Sequence, residues 1–278
     1  MKYADLHIHT KFSDGTFSPE RIVKQAHRLG LSCIAITDHD TVCAIEPAMR
    51  EAEGLDIELI PGVELAAETG DYEIHILGYF IDWRAGWFGR KLEQICDVRR
   101  RRALAIIEKL RAFDISLDSD EVMREAAVGS VGRLHIARIM ERRGFVHSIQ
   151  EAFNKYIGNG RPCYVKKFRL TPAEAINMIY RLKGLAVLAH PYTIGNDELI
   201  PGFVQLGLRG IEVYYPEHNR SATGHYRDLA EKYGLLITGG SDCHGLGKDR
   251  VLMGEVKIPY DLVEALKKEA EALKSGQK

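Results

Sequence analysis

The sequence predicts an α/β fold in which parallel strands form an incomplete or distorted barrel with one helical insertion. Three observations lead to this prediction. Short apolar runs alternate with helical patterns along most of the 278 residues, the alternation stops between residues 87 and 169, and most apolar runs end in histidine or carboxylate side chains. Alternating strands and helices are typical of parallel sheets whose strands are buried on both faces.

Seven apolar runs predict the strands. Each run is four to seven residues long, which is a common length for a buried strand. The runs lie at residues 4–8, 33–37, 57–61, 74–80, 185–189, 210–214 and 235–238. Seven strands are enough for a barrel that is incomplete or distorted.

Two of the connecting helices have clear start signals. Ser18-Pro19-Glu20 offers an N-cap, a proline at the first helical position and an early acid, and the helical pattern runs to Gly30. Thr171-Pro172-Ala173-Glu174 repeats the signal, and that pattern ends near Gly184. Both helices therefore have the start and stop residues expected of helices in βα units.

A helical insertion interrupts the barrel. Helical patterns cover residues 91–113, 118–127, 132–143 and 148–157. Barrel strands are normally joined by much shorter segments, so this stretch predicts a separate cap. The predicted organisation is therefore a first barrel part at residues 1–86, a helical cap at 87–169 and a second barrel part at 170–278.

Composition restricts the class of protein. The 38 Lys and Arg residues nearly balance the 39 Asp and Glu residues, so no global field attracts nucleic acid or an acidic membrane. No signal-peptide region or membrane-spanning run is found, and we expect a cytoplasmic protein with no membrane association. Five scattered cysteines without a CxxC pair predict reduced thiols. No feature predicts a protein partner.

The clearest chemical signal is Asp5-Leu6-His7-Ile8-His9 in the first strand. Side chains alternate between the two faces of a strand, so His7 and His9 point to the same side and can bind the same ion. Similar clusters follow or occupy later strands. Nine residues are therefore candidate metal ligands: His7, His9, Asp14, His39, Glu64, His75, His190, Asp242 and His244.

These ligands predict a phosphoesterase with several metals. The carboxyl ends of parallel barrel strands meet at one mouth, where the nine side chains would converge. Imidazole and carboxylate without thiolate suit manganese, zinc or iron in a hydrolytic site. Nine ligands exceed the needs of one tetrahedral ion, so we expect two or three divalent ions, with Glu64 or Asp242 as a bridge. Clustered metals activate water and stabilise displacement at phosphorus.

The sequence resembles the polymerase and histidinol phosphatase (PHP) family. Its four motifs appear in order as Asp5-Leu6-His7-Ile8-His9, Thr37-Asp38-His39-Asp40, Leu188-Ala189-His190-Pro191 and Ser241-Asp242-Cys243-His244. The resemblance implies a distorted (β/α)₇ TIM-like barrel with a trinuclear site. It assigns His7, His9, Glu64 and Asp242 to one metal, Glu64, His75 and His190 to a second, and Asp14, His39 and His244 to a third.

The resemblance also suggests a substrate class. The Asp14-Gly15-Thr16 and Pro61-Gly62-Val63-Glu64 segments, with a cap after the His75 strand, resemble nucleoside 3′,5′-bisphosphate phosphatases and related 5′-to-3′ exonucleases. A small phosphorylated nucleotide is therefore the expected substrate, with short RNA as an extension. Two alternatives stay open: a histidinol-phosphate phosphatase, which shares the metal motifs, and a non-catalytic metal-binding module.

Further residues are candidates for catalysis or phosphate binding. Asp38, Asp40 and His218 are candidate catalytic residues, although both aspartates could instead orient imidazoles. Arg133, His135 and Arg220 are candidate phosphate ligands, because helix N-termini and guanidinium groups favour phosphate oxygens. The basic run at residues 99–102 more often indicates a solvated helix surface.

Overall fold

The computed structural model describes residues 2–125, 131–166, 170–247 and 250–276. Within these residues, eight strands form one nearly closed sheet. They are β1 (Tyr3–Ile8), β2 (Cys33–Ile36), β3 (Glu58–Thr69), β4 (Tyr72–Tyr79), β5 (Leu185–Leu188), β6 (Gly210–Tyr214), β7 (Leu236–Gly239) and β8 (Ile258–Pro259). The spatial order is β7-β6-β5-β4-β3-β2-β1-β8. The seven predicted strands are confirmed, and the two-residue β8 is an addition.

The expectation that the seven main strands are all parallel is wrong for β4. This strand pairs antiparallel with both β3 and β5. The reason is the two-residue turn at Gly70 and Asp71, which reverses the chain directly, whereas a parallel pair needs a long crossover. Gly70 has φ of +57°, a conformation that glycine adopts readily. As a result, β4 starts at the barrel mouth, and His75 lies there although it is near the beginning of its strand.

Ten α-helices surround or extend this sheet in the described residues. They are α1 (Pro19–Arg28), α2 (Ile45–Glu53), α3 (Gly86–Leu110), α4 (Ser119–Glu125), α5 (Arg133–Arg142), α6 (Ile149–Ala152), α7 (Pro172–Arg181), α8 (Ile200–Gln205), α9 (Arg220–Tyr233) and α10 (Tyr260–Lys274). The predicted N-caps are confirmed. Ser18 accepts a hydrogen bond from the Arg21 amide, and Thr171 and Glu174 form a reciprocal capping box.

The helices α3 to α6, which we call the insertion helices, have a hydrophobic cluster of their own. This cluster includes Ile106, Leu110, Ile136, Met140 and Ile157, all almost completely buried. The barrel core is built by other clusters, in which strand residues pack against α1, α2, α7, α8, α9 and α10 and against the first part of α3 at Phe88, Leu92 and Ile95. The boundaries of the cap at residues 87 and 169 stay a prediction, and residue 169 lies outside the described residues.

No helix in the described parts of the chain combines the length and apolar character needed to cross a bilayer. All five cysteines lie in those parts, and none forms a disulfide.

Candidate metal centre

The first strand directs two histidines into the barrel mouth. His7 and His9 are both fully buried, and their Nε2 atoms lie 3.1 Å apart. Their strand is anchored by Asp5, whose carboxylate accepts a hydrogen bond of 2.8 Å from the amide of Ser241. Because side chains two residues apart share one strand face, this geometry follows directly from the sequence pattern.

Glu64 lies at the centre of the cluster. It is fully buried in β3 rather than placed after a strand, because β3 continues to Thr69. Five histidine nitrogens lie 2.9–3.3 Å from its oxygens: His7 Nε2, His9 Nε2, His39 Nδ1, His75 Nδ1 and His190 Nε2. A carboxylate with this many imidazole neighbours has the position that a bridging ligand requires.

Asp14 gathers a second set of histidines on the other side of His9. Its carboxylate oxygens lie 3.2 Å from His244 Nε2, 3.6 Å from His9 Nδ1 and 3.8 Å from His39 Nε2. The loop that carries Asp14 packs tightly on β1, because a Cβ atom at Gly15 would stand 2.6 Å from the carbonyl oxygen of His9. Glycine at this position therefore keeps Asp14 within reach of the cluster.

Asp242 completes the set next to His9. Its Oδ1 lies 3.1 Å from His9 Nε2, and its Oδ2 accepts a hydrogen bond of 3.1 Å from the hydroxyl of Tyr215. Asp242 has φ of +48° and His190 has φ of +26°. Such backbone conformations are unfavourable for residues other than glycine and persist where the surrounding structure holds them, often at functional sites.

The side chains present fit a group of metal ions. Four sets of ligand atoms lie within 4.8 Å of one another: His9, Asp14, His39 and His244; His7, Glu64 and His190; His7, His9 and Asp242; and His39, Glu64 and His75. Asp14 Oδ1, His39 Nδ1 and His75 Nδ1 are buried, and although each lies within 3.2 Å of another ligand atom, none of them makes a hydrogen bond of normal geometry with a described residue. Buried polar atoms are normally satisfied, and a cation would satisfy these.

The carboxylates also make His9 and His75 more basic. Burial lowers the pKa of His9, but hydrogen bonds with Asp242 and Glu64 outweigh it and raise that pKa to about 10. Burial likewise opposes protonation of His75, yet the charge of Glu64 raises its pKa to about 9. Metal ligands must be deprotonated, so metal binding at neutral pH has to displace protons from these rings.

Asp38 and Asp40 are bound to other protein groups. The Asp38 carboxylate accepts hydrogen bonds of 2.7 Å from both the amide and the hydroxyl of Thr10, and a further one from the Ser13 hydroxyl. Asp40 forms an ion pair with Arg99. These contacts support the alternative from the sequence in which both aspartates position neighbouring groups, rather than a direct catalytic role.

Three arginines line a cavity beside the candidate ligand cluster, and we call it the arginine cavity. It has a volume of about 170 Å³, and Arg99 and Arg102 of α3 and Arg133 of α5 form its outer wall. His39 and His75 form the side facing the cluster. Arg99 is 9% exposed, so the expectation that residues 99–102 are a solvated surface is wrong for this residue.

His135 has a different position from the one expected of a phosphate ligand. It is buried, and its Nδ1 accepts a hydrogen bond of 3.0 Å from the amide of Gly132. Burial lowers its pKa, which favours the neutral ring that this hydrogen bond requires. His135 therefore shapes the start of α5, and Arg133, which lines the arginine cavity, is the better candidate for contacting phosphate.

A second, larger cavity also borders the cluster and shares His39, Glu73 and His75 with the arginine cavity, and we call it the acidic cavity. Its volume is about 510 Å³. Asp71, Tyr72 and Glu73 from the β3–β4 hairpin line it together with Tyr215. Lysine and arginine are absent from the described residues along its wall.

His218 and Arg220 lie farther from the ligand cluster. His218 is 9% exposed, its Nδ1 donates a hydrogen bond of 2.8 Å to the carbonyl of Val213, and its ring stacks on Tyr226. Arg220 is exposed at the first turn of α9. Neither residue lines the arginine cavity or the acidic cavity in the described structure, but the ring of His218 lies 5.3 Å from that of Tyr215 and its buried Nε2 makes no hydrogen bond with a described residue. The catalytic role of His218 and the phosphate-binding role of Arg220 stay predictions.

Two functional candidates were missed by sequence reasoning. Glu212 is a fully buried carboxylate in β6 that accepts a hydrogen bond of 3.0 Å from His7 Nδ1. Tyr215, directly after β6, donates a hydrogen bond from its hydroxyl to Asp242. A lone acid inside the apolar run at residues 210–214 was a usable signal, because a buried carboxylate normally has a specific partner.

Known proteins resemble this chain over most of its length. The family model described as PHP domain matches residues 5–156. The 5′-3′ exoribonuclease Rnm of Escherichia coli is 35% identical over 247 residues, which cover 86% of this chain and 84% of the relative. The 3′,5′-nucleoside bisphosphate phosphatase of Chromobacterium violaceum is 31% identical over 254 residues, or 89% of each chain. The solved structure of a protein described as a metal-dependent phosphoesterase, from Bifidobacterium adolescentis, has a TM-score of 0.87 and 29% identity, and the match covers 95% of this chain and 94% of that one.

Proposed function

This chain belongs to the PHP family of metal-dependent phosphoesterases, and from that premise we propose that it removes a phosphate from a nucleoside 3′,5′-bisphosphate. We extend the proposal to short 5′-phosphorylated RNA, cleaved from its 5′ end. The names of the two relatives support these two substrates. A cytoplasmic location accompanies the proposal, because nucleotides and short RNA are substrates of that compartment.

The arginine cavity is the observation that carries the choice of a substrate with two phosphates. One phosphate would react at the cluster around Glu64, and the cavity wall would hold the other. Arg102 and Arg133 lie along that wall, and their guanidinium groups match the oxygens of a phosphate. Arg102 also donates a hydrogen bond to the carbonyl of Val165, and Arg133 donates to the carbonyl of Ile157 and to the side chain of Asn159, so protein contacts hold both side chains on this wall.

We propose that the nine clustered residues hold two or three divalent ions, with manganese, zinc or iron as the candidates. Imidazole and carboxylate oxygen are suitable ligands for all three metals. The ions would supply Lewis acidity and activate water at neutral pH. The central position of Glu64 supports it as the shared ligand, and the group of His9, Asp14, His39 and His244 supports a third ion.

The protein groups around the cluster have separate tasks in this proposal. Tyr215 holds the carboxylate of Asp242 in place through its hydrogen bond. Asp40 holds the guanidinium of Arg99 beside the cavity. The insertion helices carry all three arginines of the arginine cavity, so we propose that the cap at residues 87–169 serves to recognise the non-reacting phosphate.

Histidinol phosphate is a second candidate substrate because of the acidic cavity. Its ammonium group would find Asp71 and Glu73 on the cavity wall. Histidinol phosphate has only one phosphate, so it has no second anion for the arginine cavity to bind. For that reason we rank histidinol phosphate below the bisphosphate. A non-catalytic metal-binding role is a third reading, and the completeness of the clustered ligand set disfavours it.

Phosphate release from a small substrate panel tests the proposal. Metal-stripped protein is supplied with Mn²⁺ and given adenosine 3′,5′-bisphosphate, AMP, histidinol phosphate or short 5′-phosphorylated RNA. We expect the highest kcat/KM for the bisphosphate, and mononucleotide release from RNA would support the extension. Release from histidinol phosphate alone would overturn the nucleotide assignment. Metal binding without any release across the panel would point to the non-catalytic reading.

A further inference from the structure

A carboxylate outside the proposed ligand set connects two of its members. We propose that Glu212 is a positioning residue that fixes the ring of His7 and the backbone of His190, so that both offer Nε2 to the metals. This inference rests on the proposed metal-dependent function and adds a residue to it. Glu212 lies in the middle of β6 and is 0% exposed, so solvent does not compete for its oxygens.

The first contact sets the orientation of His7. Oε1 and Oε2 of Glu212 lie 3.0 and 3.2 Å from Nδ1 of His7. An ionised carboxylate only accepts hydrogen bonds, so Nδ1 carries the proton that it donates. The lone pair of the neutral ring is then on Nε2, which lies 3.3 Å from Glu64. Carboxylates that hold a ligating imidazole in this manner also increase its basicity toward the metal.

The second contact holds an unfavourable backbone conformation. The amide of His190 donates a hydrogen bond of 2.8 Å to Oε2 of Glu212. His190 has φ of +26°, outside the main allowed regions for a residue with a side chain. Its Nε2 lies 3.1 Å from Oε1 of Glu64. Glu212 therefore fixes one ligand on β1, far away in the sequence, and another just after β5, the strand that pairs with β6.

The contacts favour a carboxylate at this position. Two donors meet at Glu212: the backbone N–H of His190 lies 2.8 Å from Oε2, and the imidazole Nδ1 of His7 lies 3.0 Å from Oε1 and 3.2 Å from Oε2. A glutamine whose oxygen took the Oε2 position would keep the contact with His190, but its NH₂ group would replace Oε1 beside the N–H of His7. A donor facing a donor in a buried position is unfavourable, and the negative charge that increases the basicity of His7 is also lost. Glu212→Gln keeps the approximate volume of the side chain and removes the second acceptor oxygen and the charge.

Titration of metal-stripped protein with Mn²⁺ tests the proposal by calorimetry. We expect Glu212→Gln to weaken Mn²⁺ binding by about 10- to 100-fold, the range typical for loss of a carboxylate that orients a ligating histidine. The group of Asp14, His39 and His244 has no contact with Glu212 in the described structure, so its affinity should be retained. Glu231→Gln, on the exposed face of α9, is the matched control and should bind as wild type does.

Activity as a function of metal concentration provides the second measurement. A positioning role predicts that excess Mn²⁺ restores much of the turnover of Glu212→Gln, and that Glu212→Asp, which keeps two acceptor oxygens, binds more tightly than Glu212→Gln. Equal Mn²⁺ affinity in wild type and Glu212→Gln, with both folded by circular dichroism, would overturn the inference. Failure of the wild-type protein itself to bind Mn²⁺ would overturn the metal-dependent function instead.

Discussion

The arginine cavity and the acidic cavity share His39, Glu73 and His75, yet their outer walls come from different parts of the chain. The insertion helices supply three arginines to one wall. The β3–β4 hairpin supplies Asp71 to the other, and Glu73 of the same hairpin lines both cavities. The candidate metal cluster therefore borders a cationic region and an anionic region.

Because the two cavities differ in charge, the site can distinguish the two ends of a substrate. A second phosphate is attracted to the arginine side and repelled from the acidic side, and a substrate with two phosphates would bind in one orientation. The barrel supplies the reactive cluster, which agrees with the general position of active sites in such barrels. The inserted segments determine which groups lie on either side. Specificity would then change through the insertion and the hairpin without any change in the metal ligands.

The largest expected effect comes from the cluster that separates the two cavities. His190→Ala should lower phosphate release by about a thousandfold, because metal ions contribute several kcal/mol of charge stabilisation. Chelation should have a similar effect on the wild-type protein, and added Mn²⁺ should reverse it. The rate of phosphate release from the bisphosphate at saturating Mn²⁺ is the measurement.

His225→Ala is the matched control for this substitution. His225 is exposed on α9 and pairs with Asp197. The His225→Ala variant should retain wild-type turnover. Full activity of His190→Ala at saturating metal would show that the cluster is not the reactive centre. The comparison of the arginine cavity with the acidic cavity would then have no bearing on catalysis.

The next largest effect concerns the arginine cavity. Arg102→Gln or Arg133→Gln should lower kcat/KM for adenosine 3′,5′-bisphosphate by about 10- to 100-fold, because a hydrogen bond to a charged group contributes about 1.5–3 kcal/mol. Hydrolysis of adenosine 3′-monophosphate should change much less, since it has no second phosphate. The ratio of kcat/KM for the two substrates separates phosphate recognition from a general loss of activity.

Arg101→Gln provides the control on the same helix, because Arg101 is exposed and does not line the cavity. For Arg101→Gln, the ratio of kcat/KM for the bisphosphate to kcat/KM for the 3′-monophosphate should equal the wild-type ratio. Arg99 is less suitable as a probe, since its removal would leave Asp40 as a buried charge without this partner. An equal loss on both substrates for Arg102→Gln and Arg133→Gln would contradict a role in recognising the second phosphate.

Much of the fold was predictable from local sequence patterns. The length of β3 and the direction of β4 were not predicted, and each has a physical cause. The strands were recognised because buried strands form short apolar runs. The extension of β3 was missed because Pro61-Gly62 resembles a strand end, whereas Pro61 in fact pairs with Ile36 inside the sheet. Gly70-Asp71 was an available hairpin signal, and recognising it would have predicted the antiparallel direction of β4.

The convergence of the nine candidate ligands was also predictable, because barrel topology brings strand ends together. The arginine cavity was not predictable in the same way. Whether Arg99 is buried depends on how α3 packs over the barrel mouth, and a helical pattern alone contains no information on that packing. Glu212 was missed for a related reason, since its partners His7 and His190 are distant in the sequence.

The smallest effect is expected in the acidic cavity, where Asp71 is exposed at the tip of the β3–β4 hairpin. A short RNA bound with its 5′ nucleotide toward the arginines would extend its remaining phosphates past this carboxylate. Asp71→Asn should therefore increase kcat/KM for 5′-phosphorylated RNA by about two- to fivefold, the range for an exposed charge interaction of about 0.4–1 kcal/mol. The bisphosphate, which has no further phosphates, should be hydrolysed at an unchanged rate.

Salt dependence identifies the cause of such a gain. Repulsion between Asp71 and RNA is screened by salt, so the difference between Asp71→Asn and wild type should shrink as ionic strength rises from 0.01 M to 1 M, over which the Debye length falls from about 30 Å to about 3 Å. Glu264→Gln, an exposed carboxylate on α10, removes the same charge away from the acidic cavity and should leave RNA cleavage unchanged. An equal gain in both variants would mean that net charge, and not the acidic wall, limits RNA cleavage. No gain in either variant would mean that bound RNA does not pass the acidic cavity. The proposed orientation, with one phosphate at the arginines, would then apply to mononucleotides alone.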